Sequence, residues 1–302
     1  MLAILAPGQG SQTPSMLTAW LEDAELKNLL TSYSSAINLD LERLGTVADA
    51  DEIKDTANAQ PLIVAASLIS AHALGSDVDA SFVAGHSVGE IAAAALAGTI
   101  TDIDAMKLVH LRGQEMAKAA ALSPAGMAAV LGGERSVVLA AIKELGLVAA
   151  NDNGAGQIVA AGNLDALSQL APDGARVRAL AVAGAFHTPF MEPAVAPLRA
   201  MAAEIRTSAA KVAVISNRDG EVVSDGREVL DRIVNQIANP VRWDLCMETL
   251  RAQGVTGVIE LAPGGTLAGL IKRAAPEIEQ LALKSPADIA AAREFAARHG
   301  KA

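Results

Sequence analysis

The chain has a single cysteine, Cys246, and aromatic residues make up only 2% of its 302 residues. One thiol excludes an intrachain disulfide and any metal site built from several thiolates, and no other metal site is implied. With so few rings, the core has to be assembled from Ala, Val, Leu and Ile within a hydrophobic fraction of 51%. Such a composition favours Ala-rich helices around short strands, an α/β pattern rather than an all-β one. Positive charge is scarce too: 24 Lys and Arg face 34 Asp and Glu, a net charge of −10. That balance offers no global field for nucleic acid or an anionic membrane, and neither is expected as a partner. The apolar opening Met1-Leu2-Ala3-Ile4-Leu5-Ala6 stops at Pro7-Gly8 and has no basic leader, and later Ala-rich stretches are interrupted by charge or glycine. Neither a secretory signal nor a membrane span is therefore expected, and a cytoplasmic protein is.

Length allows one large α/β domain or a large domain with an insert. A strand over 2–6 runs into the glycine loop Pro7-Gly8-Gln9-Gly10-Ser11-Gln12. This loop lacks the Lys-Ser/Thr of a phosphate loop and the third glycine of a dinucleotide fingerprint. Apolar periodicity predicts helices over 19–36, 60–74, 91–97 and 103–121, with a short strand over 81–84 between the second and third. Between 123 and 183 the texture changes to short elements: strand 126–131, helix 134–145, strands 147–150 and 158–161, helix 165–170, strand 175–182. That βαββαβ order is ferredoxin-like. The expected fold is thus a large hydrolase-like α/β domain over 1–122 and 184–302, with a parallel sheet core, carrying a ferredoxin-like inserted subdomain over 123–183. Beyond the insert, helices are predicted over 189–205 and 229–237, strands over 212–216 and 257–261, a helix from the Pro263-Gly264-Gly265 turn through Arg273, and a terminal helix from Pro286.

Gly85-His86-Ser87-Val88-Gly89, placed between a strand and a helix, has the form of a nucleophile elbow. The sharp turn strains the serine, the flanking glycines remove Cβ atoms that would clash, and the helix start offers free N–H groups to a developing anion. Chance copies of such a pattern arise in Gly- and Ala-rich chains, so a structural turn is the competing reading. A serine nucleophile needs a base. Of the five histidines, His72 and His110 fall inside predicted helices, His86 reads as a support of the turn, and His299 as a solvent-exposed tail residue. His187 differs: it stands at a strand-helix junction, in Gly184-Ala185-Phe186-His187-Thr188-Pro189, with Thr188 suited to cap the helix. From spacing alone, base and structural residue are equal readings of it. Arg112 reads first as a surface partner of Glu115 at i,i+3, although Leu108 and Leu111 leave room for a buried role. Cys246, in a half-apolar helical stretch, reads as a small buried hydrophobe.

These pieces, in order along nearly the whole chain, resemble the malonyl-CoA:acyl-carrier-protein transacylases of type II fatty-acid synthesis and the related acyltransferase domains of polyketide synthases. The matching motifs are the Pro7-Gly8-Gln9-Gly10-Ser11-Gln12 loop, Gly85-His86-Ser87-Val88-Gly89-Glu90, Arg112-Gly113 with Met116, Ala185-Phe186-His187, Gln236 ahead of Asn239-Pro240-Val241 and Trp243, and Pro263-Gly264 before Leu267 and Leu270. The resemblance implies Ser87 as nucleophile and His187 as base, oriented by the backbone carbonyl of Gln236 instead of a carboxylate. It implies an oxyanion hole from the N–H groups of Gln9 and Val88, and Arg112 as the clamp for the malonyl carboxylate. Phe186 would exclude a 2-methyl branch, and Asn151 and Asn153 would face the pantetheine channel. The substrates implied are malonyl-CoA and the phosphopantetheine arm of an acyl carrier protein, with no permanently bound cofactor and a monomeric enzyme. Lys272 and Arg273 read as a solvated surface pair, with carrier contact as the other possibility. Ala6, Ala262 and Ala59 depart from the family pattern without touching an assigned group. The alternative, a serine esterase or thioesterase of the α/β-hydrolase type, orders its triad Ser, acid, His, and would have to use His299.

Overall fold

The computed structural model describes residues 1–75 and 78–300. The chain begins with β1 (Leu2–Ala6), α1 (Ala24–Ile37), α2 (Leu41–Thr46), α3 (Thr56–Leu74), β2 (Phe82–Gly85), α4 (Gly89–Leu96) and α5 (Asp102–Ala120). It continues through β3 (Ala125–Gly132), α6 (Arg135–Glu144), β4 (Val148–Asp152), β5 (Gln157–Asn163), α7 (Leu164–Gln169) and β6 (Ala175–Ala179). It ends with α8 (Glu192–Glu204), β7 (Ala213–Ile215), β8 (Val222–Val223), α9 (Gly226–Gln236), β9 (Val241–Arg242), α10 (Trp243–Ala252), β10 (Gly257–Glu260), α11 (Thr266–Ala274), β11 (Glu279–Ala282) and α12 (Ile289–His299).

Two sheets result. The larger has the order β11-β10-β1-β2-β7-β8, parallel except for the edge hairpin that β8 makes with β7. Its central strands β1 and β2 are buried throughout, as parallel strands covered on both faces must be. The smaller has the order β6-β3-β5-β4-β9. Its first four strands are antiparallel in ferredoxin-like order, and β9 adds in parallel at the β4 edge through Asn151 and Asp152. The α/β class and parallel core agree with the sequence.

Helix starts explain most boundary differences. Asp55 accepts from the N–H of Ala57, so α3 begins at Thr56, four residues before the predicted start. Asp225 likewise starts α9 at Gly226. The helix expected over 19–36 divides, because Asp23 caps a new helix after a 3-10 turn at Trp20–Glu22. The helix expected from 189 likewise opens with a 3-10 turn, Pro189–Met191. The strands β8, β9 and β11 have no counterpart in the sequence reading; two are two residues long, too short to show an alternation. α3 is apolar enough by length and composition to cross a membrane, but 72% of its most hydropathic window is buried inside the protein, which marks it as a core helix.

His299 corrects the sequence reading. It is buried, not solvent-exposed: α12 folds back over β10, its ring lies against Phe295 and Nδ1 is 2.9 Å from Thr256 Oγ1. Gly257 makes the room, since a Cβ there would stand 2.5 Å from the imidazole. A three-sided packing of this kind leaves no local mark in a charged tail.

Candidate active site

The site is built at the C-terminal ends of β1 and β2, where parallel strands deliver loops to one edge. Ser87 follows β2 with φ 54, a left-handed conformation that L-residues rarely adopt. The neighbouring glycines are sterically required. A Cβ on Gly85 would stand 2.0 Å from the Gly89 carbonyl carbon, and one on Gly89 would stand 2.2 Å from the Ala6 oxygen. Asn217, just after β7, fastens the turn: its Oδ1 accepts the Ser87 N–H at 2.8 Å and its Nδ2 donates to the Gly85 carbonyl at 2.7 Å. His86 supports the turn from the other side, with Nε2 2.9 Å from Asn153 Oδ1 and its ring edge-on to Trp243.

His187 also has positive φ, 60°. Thr188 holds the bend by donating to the Ala185 carbonyl at 2.6 Å and accepting from the Phe190 N–H. The imidazole reaches Ser87 Oγ with Nε2 at 2.7 Å, while Nδ1 lies 2.8 Å from the Gln236 carbonyl oxygen. A carbonyl only accepts, so Nδ1 carries the proton and Nε2 is left as acceptor for the serine hydroxyl. Burial pushes the imidazole down to about 3, helped by the nearby Arg112 cation and opposed by the Gln236 carbonyl. The ring is therefore neutral across the ordinary pH range, with Nε2 free to accept the serine hydroxyl.

Arg112, on α5, is fully buried, which overturns the surface-pair reading; Glu115 pairs with Lys118 instead. The guanidinium donates to Gln60 Oε1 at 2.7 Å and Gln236 Oε1 at 3.0 Å, and lies 3.4 Å from Ser87 Oγ. No carboxylate within salt-bridge distance offsets it among the described residues, and Nε has no partner there. Burial pulls its pKa down to about 10, so it stays charged. A cation held by amide oxygens beside a nucleophile can receive an anion without first losing a bound carboxylate.

The backbone N–H groups of Gln9 and Val88 donate to no protein acceptor among the described residues. Gln9 of the glycine loop shares the cleft wall with Ser87 and Val88 follows the serine as the N-cap of α4, so both N–H groups remain unbonded near the nucleophile's cleft. A cleft of ≈ 440 Å³ runs between the two sheets, with Gln9, Ser87, Phe186 and His187 in its wall and Asn151, Asn153 and Val159 on the side of the smaller sheet. Arg273 and Leu270 of α11 line it as well, and Arg273 lies 3.5 Å from Gln157 Oε1. Cys246 is buried, donates to the Ser216 carbonyl and has its thiol pushed up by burial, so it is chemically quiet. No group of three His, Cys, Asp or Glu residues able to hold a metal occurs among the described residues.

Three site residues have no role in the sequence reading: Gln60, Glu90 and Asn217. Glu90 appears there only as the last residue of the elbow motif. Asn217 and Gln60 carry no signal of a role, since amides in a loop and in a helix are ordinary.

A family model described as acyl transferase domain matches residues 5–291. Malonyl CoA-acyl carrier protein transacylase of Mycobacterium tuberculosis is 52% identical over 299 residues, 96% of this chain and 98% of that protein. The protein of the same name from Escherichia coli K12 is 33% identical over 305 residues, 97% and 99% of the two chains. The crystal structure of MCAT from M. tuberculosis superposes with a TM-score of 0.93 at 51% identity, covering 97% of this chain and 99% of that one. That of an acyl-carrier-protein S-malonyltransferase from Burkholderia pseudomallei gives 0.92 at 36% identity, covering 97% and 99%. With the elbow and the facing histidine in one cleft and the buried arginine 3.4 Å from the serine oxygen, this chain belongs to the acyl transferase domain family.

Proposed function

We propose that this protein is a malonyl-CoA:acyl carrier protein transacylase working through a malonyl ester on Ser87. The observation that carries the proposal is the meeting of two groups at one oxygen: His187 Nε2 at 2.7 Å and the Arg112 guanidinium at 3.4 Å from Ser87 Oγ. The names of the relatives at 52% and 33% identity support it. Ser87 Oγ attacks the malonyl thioester carbonyl as its proton passes to His187 Nε2. The resulting oxyanion takes hydrogen bonds from the Gln9 and Val88 N–H groups. Collapse breaks the C–S bond, the His187 proton leaves on the CoA thiol, and Ser87 keeps the acyl group. In the second half, the phosphopantetheine thiol of the carrier gives its proton to His187 and its sulfur attacks the ester carbonyl; the C–O bond breaks, malonyl leaves on the carrier sulfur, and the His187 proton returns to Ser87 Oγ.

Arg112 clamps the free carboxylate, and Phe186 narrows the space beside the α-carbon. Pairing Arg112 with an anion also weakens its repulsion of the imidazolium, so a carboxylated acyl group strengthens its own base. Asn151 and Asn153 line the path of the pantetheine arm. We take residues 1–122 and 184–302 as the catalytic body and 123–183 as a subdomain forming the other wall of the cleft; self-pairing of β3 to β6 supports that division. A monomeric, cytoplasmic enzyme with no resident cofactor completes the proposal.

The test is steady-state transfer from malonyl-CoA to a phosphopantetheine-bearing carrier protein. Parallel double-reciprocal lines and malonyl-carrier product are expected. CoA release with free malonate and no malonyl-carrier would instead favour a thioesterase.

A further inference from the structure

We propose that Glu90 is a positioning residue of the acyl site, fixing the direction of the Gln236 side-chain amide and through it the aim of Arg112. This rests on Arg112 acting as the clamp for the acyl carboxylate.

Glu90 is buried at the start of α4, directly behind the elbow. One carboxylate oxygen accepts the Asn217 N–H at 2.6 Å and the other accepts Gln236 Nε2 at 2.5 Å. Arginine has no acceptor, so the Gln236 amide oxygen must face Arg112 and its NH2 must face Glu90, whose carboxyl burial pushes up to about 8 against the pull of the Asn217 N–H and the neighbouring arginines. The same NH2 also meets Asn217 Oδ1 at 3.1 Å and the Ser87 carbonyl at 3.2 Å. The amide oxygen is thereby turned to Arg112, which donates to it at 3.0 Å. The opposite orientation would set an oxygen against three oxygens and an NH2 against the guanidinium.

The indirect connection matters. A carboxylate bonded straight to Arg112 would occupy its fork and compete with the substrate's own carboxylate. Placed one residue away, Glu90 orients the arginine through a neutral amide, and the fork stays open toward Ser87. The cations around Glu90 are Arg112 and Arg232, with Asp219 the nearby anion.

The experiment compares single-turnover loading from malonyl-CoA and acetyl-CoA, read by intact mass, in Glu90→Gln, Gln236→Leu, the double variant and Arg112→Ala. A glutamine at 90 has one acceptor for two donors. The Asn217 N–H belongs to the backbone and cannot turn, so the Gln236 amide must. Glu90→Gln is expected to lower the malonyl-to-acetyl rate ratio by about tenfold to a hundredfold, the loss of one oriented bond to a charged group. Gln236→Leu lowers the ratio likewise, and the double variant is no worse than the worse single, because both cut one link. Equal losses for both acyl groups in Glu90→Gln, or full additivity in the double variant, would overturn the proposal. If Glu90→Gln does not fold, Glu90→Asp takes its place: it keeps the carboxyl but draws it back from the Gln236 NH2, and an unchanged malonyl-to-acetyl ratio there would overturn the proposal. An Arg112→Ala ratio equal to that of the parent would defeat the clamp itself; a lowered ratio there with an unchanged one in Glu90→Gln would defeat only the positioning role.

Discussion

Replacing Arg112 by alanine should convert the site from one that favours malonyl to one that favours acetyl. The guanidinium is fully buried and holds no carboxylate within the protein among the described residues. Glu90 reaches it only through Gln236, so a directly bonded anion has to come from the substrate. Two charge-assisted hydrogen bonds in a partly dry cleft contribute about 1.5–3 kcal/mol each, and truncating one member of a buried ion pair costs about 3–5 kcal/mol. At 1.4 kcal/mol per tenfold, malonyl loading should fall by about two to three orders of magnitude. Acetyl-CoA brings no carboxylate to a buried cation that only the unbonded Glu90 offsets in part, so its loading should hold or rise. Removing the cation also relieves one cause of the depressed His187 pKa, so the acid limb of acetyl loading should move to higher pH. The substitution leaves Gln60 Oε1 and Gln236 Oε1 without their donor, at about 1–3 kcal/mol each where water does not replace it. Rates must therefore be normalised to folded protein by thermal melting. The assay is quench-flow mixing with each acyl-CoA and intact mass of the acyl-enzyme. Equal loss for both acyl groups, with an unshifted acid limb, would refute the clamp.

Other expectations follow from the same geometry. The pH profile of kcat/KM for malonyl-CoA should have its acid limb well below the ordinary histidine value of 6.5, because burial holds His187 near 3; a limb at 6.5 would show a solvated base. The same shift has a stability consequence. The unfolded chain takes up a proton at His187 below about 6.5 and the folded one does not until about 3, so the His187 contribution is complete above 6.5 and is lost as pH falls through that window. Urea melts of the parent and His187→Gln at pH 7 and pH 5 should show a smaller drop in the variant. Gly85→Ala should fail to accumulate as folded protein, since its Cβ would collide with backbone at 2.0 Å; a variant with parental melting temperature would disprove the packing of the elbow. Phe186→Ala should raise the methylmalonyl-to-malonyl loading ratio, and an unchanged ratio would remove Phe186 from acyl selection. His299→Ala should cost about 1–3 kcal/mol in urea melts with malonyl loading unchanged, the signature of a buried structural histidine far from the cleft.

How much of this is legible in the sequence depends on how local each signal is. Ser87 can be read because its turn needs glycines at fixed spacing on both sides, whereas the threonine cap and proline beside His187 mark a bend without telling base from structural residue. Arg112 cannot be placed by periodicity alone: α5 puts it one turn from Glu115, and only the packing of α3 and α9 residues around it makes it a buried cation. Glu90, Asn217 and Gln236 meet across 146 and 19 residues of chain, and side-chain amides carry no pattern that foretells such a meeting. The fold class follows from alternating element types, whereas β9 joins the smaller sheet through two residues, Val241 and Arg242, that no periodicity marks. His299 sits in a charged segment, and its burial depends on Gly257 in a distant strand.

The most direct test of the central claim is the intact mass of the protein after brief mixing with malonyl-CoA, followed by peptide mapping. One malonyl group on the peptide containing Ser87, absent in Ser87→Ala and discharged on adding carrier protein, is the predicted result. No adduct on the parent protein, or one that survives Ser87→Ala, would contradict it.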